Sequence, residues 1–489
     1  MLGRREFLAA TVAASALRAA DANAVVVDPT PLFEISPLLY MQFMEPLGVT
    51  DSSVEASWDY EADDWRKDFV DITRELAPGA MRFGGLFSRY YRWREGVGPG
   101  AKRPPMRNYV WGGMETNRVG THEFVDFCRR VGAEPFYCVN FLSDGEKRYA
   151  AAGRTADAGE AADWVSYAND PDNRERRANG AAAPLNLKLW QIGNETSYGN
   201  VTFSKDDAIA HTLEFAKAMK QRDPSIRLIG WGDRGRDRQL WAPDLYKEAG
   251  EYLDFTAIHM MGQNPRRPDT VLKGFEYQKD PQRAWEELIE LSDAVEKRVT
   301  EIEQAATGAI AITEGHLSLS PHNTNPILFE WLSAVYHARS MNIYQRHGAR
   351  VKIATAADFN GTRWTNTAVM LPVPRGRSYL MPAGSIAGLF KRHNGTHGVA
   401  VKSAPAGLDI AASRAGNKLY LHVANLNYGR AVEASFPEMR NGRVFEIAPE
   451  DLRTYVNQDR TDVFRPREKP LTATWRFPAG SVSAVELDL

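Results

Sequence analysis

The chain has 489 residues, 43% hydrophobic and 25% charged, which fits a water-soluble globular protein and excludes a disordered, collagen-like or multi-span membrane chain. Sixty basic against 62 acidic residues leave a formal charge of -2, so no overall field draws it to nucleic acid or anionic lipid. Two cysteines, Cys128 and Cys138, make no disulfide framework and do not suggest a zinc cluster. The 12 Trp, 18 Tyr and 21 Phe offer flat apolar faces that suit sugar stacking and core filling alike.

Residues 1–24 read as a targeting segment. Gly3-Arg4-Arg5-Glu6-Phe7-Leu8 resembles a twin-arginine export motif, an apolar stretch runs from Phe7 to Leu17, and Ala22-Asn23-Ala24 is a small-x-small cleavage site. That stretch is much shorter than the ~20 residues a membrane-spanning helix needs. The expectation is a periplasmic or extracellular protein exported in folded form.

Residues 25–36 are expected to give a strand to a later β domain. From 37 to 364, short apolar runs alternate with longer amphipathic ones, the mark of repeated βα units. Strands are predicted at Leu38–Phe43, Ala80–Phe83, Glu134–Val139, Leu187–Gln191, Leu228–Gly232, Phe255–His259, Ala309–Thr313 and Ala354–Ala357. Helices are predicted at Thr121–Val131, Asp206–Gln221, Pro281–Ala306 and Pro326–His347. Phe124, Phe127, Cys128 and Val131 have the spacing of one buried helix face. Eight strands with crossovers predict a closed (β/α)8 TIM barrel. An open doubly wound sheet is the alternative, but no Gly-x-Gly-x-x-Gly turn follows the first strand. From 365 to 489, Val399–Val401, Leu419–Val423, Val432–Phe436, Leu471–Phe477 and Val482–Leu487 are short β-like runs with no long helical period, predicting a C-terminal β-sandwich.

In a parallel barrel, chemistry sits at the C-terminal ends of the strands. Strand four ends in Asn194-Glu195, and strand seven ends in Glu314, a carboxylate with no apolar reason to be there. Two carboxylates facing each other across a barrel mouth can cleave a glycosidic bond, one protonating the leaving oxygen and the other attacking the anomeric carbon.

The order of motifs resembles the α-L-arabinofuranosidases of glycoside hydrolase family 51, retaining enzymes of the large barrel clan. The match runs through Phe43-Met44-Glu45-Pro46-Leu47-Gly48, Met81-Arg82-Phe83-Gly84-Gly85, and Tyr91-x-Trp93-Arg94-x-Gly96-x-Gly98-Pro99. It continues with Trp111, Glu115 to Phe124, Gly132-Ala133-Glu134-Pro135, Trp190 to Glu195, Asp254-Phe255-x-x-Ile258-His259 and Val351-Lys352-Ile353-Ala354. The resemblance implies Glu195 as general acid/base and Glu314 as nucleophile. It implies Asn194 on the sugar's 2-hydroxyl, Arg82 beside Glu314, Glu45 on ring hydroxyls and His259 shaping the pocket. Trp111 is either a stacking face or a loop anchor. As the acid, Glu195 is expected to hold its pKa up under the like charge of Glu314.

The departures fall on the substrate-holding positions. Leu86 stands where the family has Asn, Met261 where it has Tyr, and Asp358 where it has Gln, while Gly315-His316 replaces Trp-Asn after the nucleophile. The Arg234–Arg238 and Arg266-Arg267 segments could clamp an acidic sugar, but solvated loops with local ion pairing are the favoured reading. His316 and His322 have no metal-ligand spacing, and core packing is the favoured role of both cysteines. The expected partner is an oligo- or polysaccharide, with no cofactor, metal, nucleic acid or membrane; a homo-oligomer stays open. Rival readings are a retaining hydrolase for a galactofuranoside, D-arabinofuranoside or uronide, or a carbohydrate-binding derivative without turnover.

Overall fold

The computed structural model describes residues 23–199, 203–437 and 441–489. The expected export motif lies outside them.

Eight parallel strands form the barrel: Met41–Met44, Ala80–Phe83, Glu134–Val139, Leu189–Ile192, Arg227–Trp231, Phe255–Gln263, Ala309–Ser318 and Val351–Ala354, each paired to the next. A bridge between Tyr40 and Ala354 closes the ring. A packing helix follows each strand, with shorter helices added in the loops: Lys67–Leu76, Thr121–Val131, Ala158–Asn169, Lys205–Arg222, Ala242–Ala249, Pro281–Ala305, Ala334–Arg346 and Pro382–Arg392. Side chains alternate in and out along a strand, so Met41, Phe43, Ala80, Phe136, Leu189, Ile229, Phe255, Ala257, Ala311 and Ile353 fill the barrel as one buried cluster.

Strands six and seven run on past the expected His259 and Thr313 to Gln263 and Ser318, and other elements depart further from the sequence expectation. The eighth strand is Val351–Ala354, because Thr355 Oγ1 donates to the Ala357 carbonyl (2.7 Å) and turns the chain where a strand was expected. The segment Pro326–His347 is two short 3-10 turns and then a helix, since extended Glu330 interrupts it to receive hydrogen bonds from Tyr277 and Arg453. A helix, Pro382–Arg392, lies where only β texture was expected. Gly384 and Gly388 mask its periodicity, yet they are what let it pack: a Cβ on Gly384 would stand 2.1 Å from the Ala368 carbonyl oxygen.

The C-terminal region is a seven-stranded antiparallel sheet in the order Val26–Glu34, His397–Ser403, Leu408–Ala415, Lys418–Asn425, Val482–Asp488, Gly442–Ile447, Arg467–Leu471. The pair Val432–Ser435 and Thr474–Phe477 packs across it around Leu419, Leu421, Ala434 and Phe477. Leu408–Ala415 and Gly442–Ile447 are strands that the sequence pattern missed. The indoles of Trp285 and Trp331 tie the barrel to this region, donating to the carbonyls of Leu426 and Gly480. Cys128 and Cys138 are buried free thiols. Among the described residues, no helix is long and apolar enough to cross a membrane.

Candidate active site

Arg82 and His259 share the inward parity of Ala80 and Ala257, so both point into the barrel at its C-terminal mouth. Glu314 does not have that parity, since Ala311 faces inward and Glu314 is three residues on. The register supplies the correction. Ile258 pairs with Ile312, but His259 pairs with Glu314, so Thr313 is the extra residue of a bulge. One inserted residue moves the next side chain to the other face, which swings Glu314 into the mouth beside His259.

There Arg82 Nη1 donates to Glu314 Oε1 and to the Thr313 carbonyl, both at 3.0 Å, and Arg82 Nη2 donates to Asn194 Oδ1. His259 Nδ1 lies 3.1 Å from Glu195 Oε1 and 3.5 Å from Glu314 Oε2. One ligand atom from each of Glu195, His259 and Glu314 lies within 4.8 Å of the others. These three would be the ligands of a metal ion if one bound here. The Arg82 guanidinium already meets the charge of Glu314, which suits a reaction centre for an organic substrate instead. Asn194 Nδ2 and His259 Nε2 are buried with no hydrogen-bond partner among the described residues, leaving them for substrate hydroxyls.

Glu195 departs from its expected titration. Burial works to raise its pKa, but the hydrogen bond and charge of His259, with the charges of Arg89 and Arg82, prevail and hold it below the ordinary value. Glu45 is the carboxyl that is pushed well up, by burial and then by the charge of Glu314. It accepts hydrogen bonds from the Phe87 N–H (3.2 Å) and Trp111 Nε1 (3.4 Å). Gly85 makes that approach possible, because a Cβ there would stand 2.1 Å from the Glu45 carboxyl. Trp111 is therefore tied to Glu45, and its ring meets Trp364 edge to face at 5.2 Å.

Asp358 opens the short strand Asp358–Gly361 after barrel strand eight, and its carboxylate lies 2.5 Å from His316 Nδ1. This pair joins two of the departures from the family pattern and was invisible in the sequence, where the two residues are far apart. Burial works to lower the pKa of His316, but the charge of Asp358, then the charges of Glu314 and Glu195, raise it. Met261, half-buried, is the cross-strand neighbour of His316, and Leu86 begins the turn Leu86–Arg89.

Two further groups escaped the sequence reading. Asp233, just past strand five, accepts from the His259 N–H (3.0 Å), Tyr198 hydroxyl (2.5 Å) and Arg298. Its place just after the expected strand five, like that of Glu314 after the expected strand seven, was the available signal. Arg89 donates to the Asn194 and Glu195 carbonyls, both at 3.2 Å. The arginine loops are locally paired, Arg234 with Glu301 and Arg267 with Glu287 and Glu290.

Residues 72–282 match the family model "Alpha-L-arabinofuranosidase 1 domain". A probable α-L-arabinofuranosidase C of Aspergillus niger is 35% identical over 44% of this chain and 42% of its own length. An intracellular exo-α-(1→5)-L-arabinofuranosidase of Acetivibrio thermocellus is 31% identical over 46% of this chain and 45% of its own. The chain thus spans less than half the length of these curated relatives. Among solved structures, the family 51 arabinofuranosidase of Xanthomonas axonopodis superposes with a TM-score of 0.77 at 21% identity, over 94% of this chain and 98% of that one. The family 51 α-L-arabinofuranosidase of Thermotoga petrophila gives 0.74 at 24% identity, over 95% and 100%. In fold along nearly its whole length, and in sequence across the residues that carry strands two to six, this chain resembles the α-L-arabinofuranosidases of glycoside hydrolase family 51.

Proposed function

We propose that this protein is a retaining glycoside hydrolase that removes a terminal furanosyl or related residue from a glycan by double displacement. The observation that carries this reading is the Glu195–Glu314 pair, whose carboxylate oxygens approach within 4.8 Å at the barrel mouth, one just past strand four and the other within strand seven. That spacing suits retention, where the carboxyl groups sit ~5–5.5 Å apart and leave no room for a water between them.

Glu314 attacks the anomeric carbon while Arg82 holds one of its oxygens and keeps the other lone pair available. Glu195 gives its proton to the leaving oxygen. A substrate that displaces water around Glu195 strengthens the burial contribution, which already favours the protonated form, and so turns a low-pKa carboxyl into the acid the step needs. In the second step Glu195, now a carboxylate, takes a proton from water as that water opens the glycosyl ester. Asn194 and His259, with unpartnered donors, hold sugar hydroxyls.

The names of the relatives support an arabinofuranoside-type substrate, and the changes at Leu86, Met261, His316 and Asp358 support a sugar that differs from it in hydroxyl pattern. The leader adds a proposal of twin-arginine export, tested by Arg4→Lys with Arg5→Lys: export that continues unchanged defeats it. For the chemistry, proton NMR of the first-formed sugar from a panel of nitrophenyl furanosides and pyranosides is the test. Retained configuration is expected. Inversion, or saccharide binding without turnover, overturns the reading.

A further inference from the structure

Glu195 has a backbone conformation that an L-residue rarely adopts, with φ +54°, and it follows Gly193 at φ +78°. A side chain mounted on such a turn is aimed correctly only if the surrounding structure holds the turn. Gln191 Nε2 donates to the Gly193 carbonyl at the start of this turn (2.9 Å), and a buried arginine binds it around Glu195 itself. Arg89 Nη2 donates to the carbonyls of Asn194 and Glu195, both at 3.2 Å, so the peptide groups on both sides of Glu195 are bound to a single guanidinium. The other edges of that guanidinium are fixed by two carboxylates, Asp144 Oδ2 at 3.1 Å from Nε and Glu146 Oε1 at 2.6 Å from Nη1.

Asp144 grips the same turn a second time, because its Oδ1 accepts from Thr196 Oγ1 at 2.6 Å, one residue after Glu195. Asp144 is itself presented by a strained turn after strand three, in which Leu142, Ser143, Asp144 and Gly145 all have positive φ. Two neighbouring loops therefore store unfavourable backbone geometry to place this guanidinium under Glu195. Arg89 neither touches the pocket groups Glu314 or His259 nor replaces any of them; its contacts run to the backbone that carries the acid/base carboxyl.

We propose that Arg89, locked by Asp144 and Glu146, is a positioning residue that sets the aim of Glu195. This rests on the reading of Glu195 as the acid/base. The two hydrogen bonds of Arg89 fix where the proton is delivered.

The test compares Arg89→Met and Arg89→Lys with the parent and with Glu195→Gln, each on an activated aryl glycoside and on an unactivated alkyl glycoside of whichever sugar is turned over. Arg89→Met is expected to lose ~10- to 100-fold more on the alkyl than on the aryl substrate, since only the former needs protonation. Arg89→Lys keeps the charge but not the planar fork, so the leaving-group penalty remains. Equal losses on both substrates in both variants overturn the proposal. If Arg89→Met does not fold, Thr196→Val with Arg89→Lys decides it, the same unequal loss being required. Failure of Glu195→Gln to discriminate between leaving groups would instead defeat the acid/base reading, so the two failures are separable.

Discussion

Glu195 and Glu314 contact the same atom: His259 Nδ1 stands 3.1 Å from an oxygen of the first and 3.5 Å from an oxygen of the second. Two carboxylates this close cannot both stay charged without help, and the pocket divides the help unequally. Arg82 is committed to Glu314, and His259 leans toward Glu195. That division is the basis of the proposed roles, Glu314 as nucleophile and Glu195 as acid.

Glu314→Ala is expected to lose ~10⁴-fold or more in kcat, because the covalent route disappears. Sodium azide should restore turnover of an activated glycoside and yield a glycosyl azide of inverted configuration, seen by NMR. Near-normal activity in the variant would be incompatible with the mechanism.

His259→Asn tests the titration of Glu195. The carboxyl is depressed chiefly by the hydrogen bond and charge of His259 working against burial, so removing the imidazole lets its pKa rise. The acid must be protonated in the free enzyme, and the basic limb of kcat/KM is expected to shift to higher pH. A limb that moves down, or does not move while turnover persists, contradicts the assignment.

Leu86→Asn addresses specificity. A sugar hydroxyl buried against Leu86 loses its water and gains no partner, a cost of ~1–3 kcal/mol or ~10- to 200-fold in rate. The substitution is expected to raise kcat/KM on nitrophenyl α-L-arabinofuranoside by ~10-fold while leaving the preferred substrate of the parent unimproved. If the parent already turns over the arabinofuranoside at ~10⁴ M⁻¹s⁻¹ or better, ahead of the rest of the panel, the altered positions do not change the sugar.

The His316–Asp358 pair predicts a pH-dependent stability. The pKa of His316 is raised above 6.5, the ordinary value, so its contribution is present in full below that pH and is lost as the pH rises through the higher folded value. Thermal unfolding of Asp358→Asn should therefore fall furthest below the parent at pH 5.5, with the gap narrowing toward pH 9. A gap that widens with pH would show that the imidazole is not the charged partner.

The barrel was legible in the sequence because its signal is local. Ala80–Phe83, Glu134–Val139 and the helix Thr121–Val131 appear at the predicted bounds, each marked by apolar periodicity and turn residues at its ends. Glu195 and Glu314 were legible for the same reason, as carboxylates at expected strand ends. What escaped is non-local. The helix Pro382–Arg392 owes its packing to glycines that blur helical periodicity, the bulge at Thr313 exists only in the register between two strands, and Arg89, Asp144, Asp233 and the His316–Asp358 pair act through partners from other loops. Spacing along the chain therefore named the two carboxylates, but only the closed barrel, by bringing distant strand ends within hydrogen-bonding distance, decided which charge each one meets.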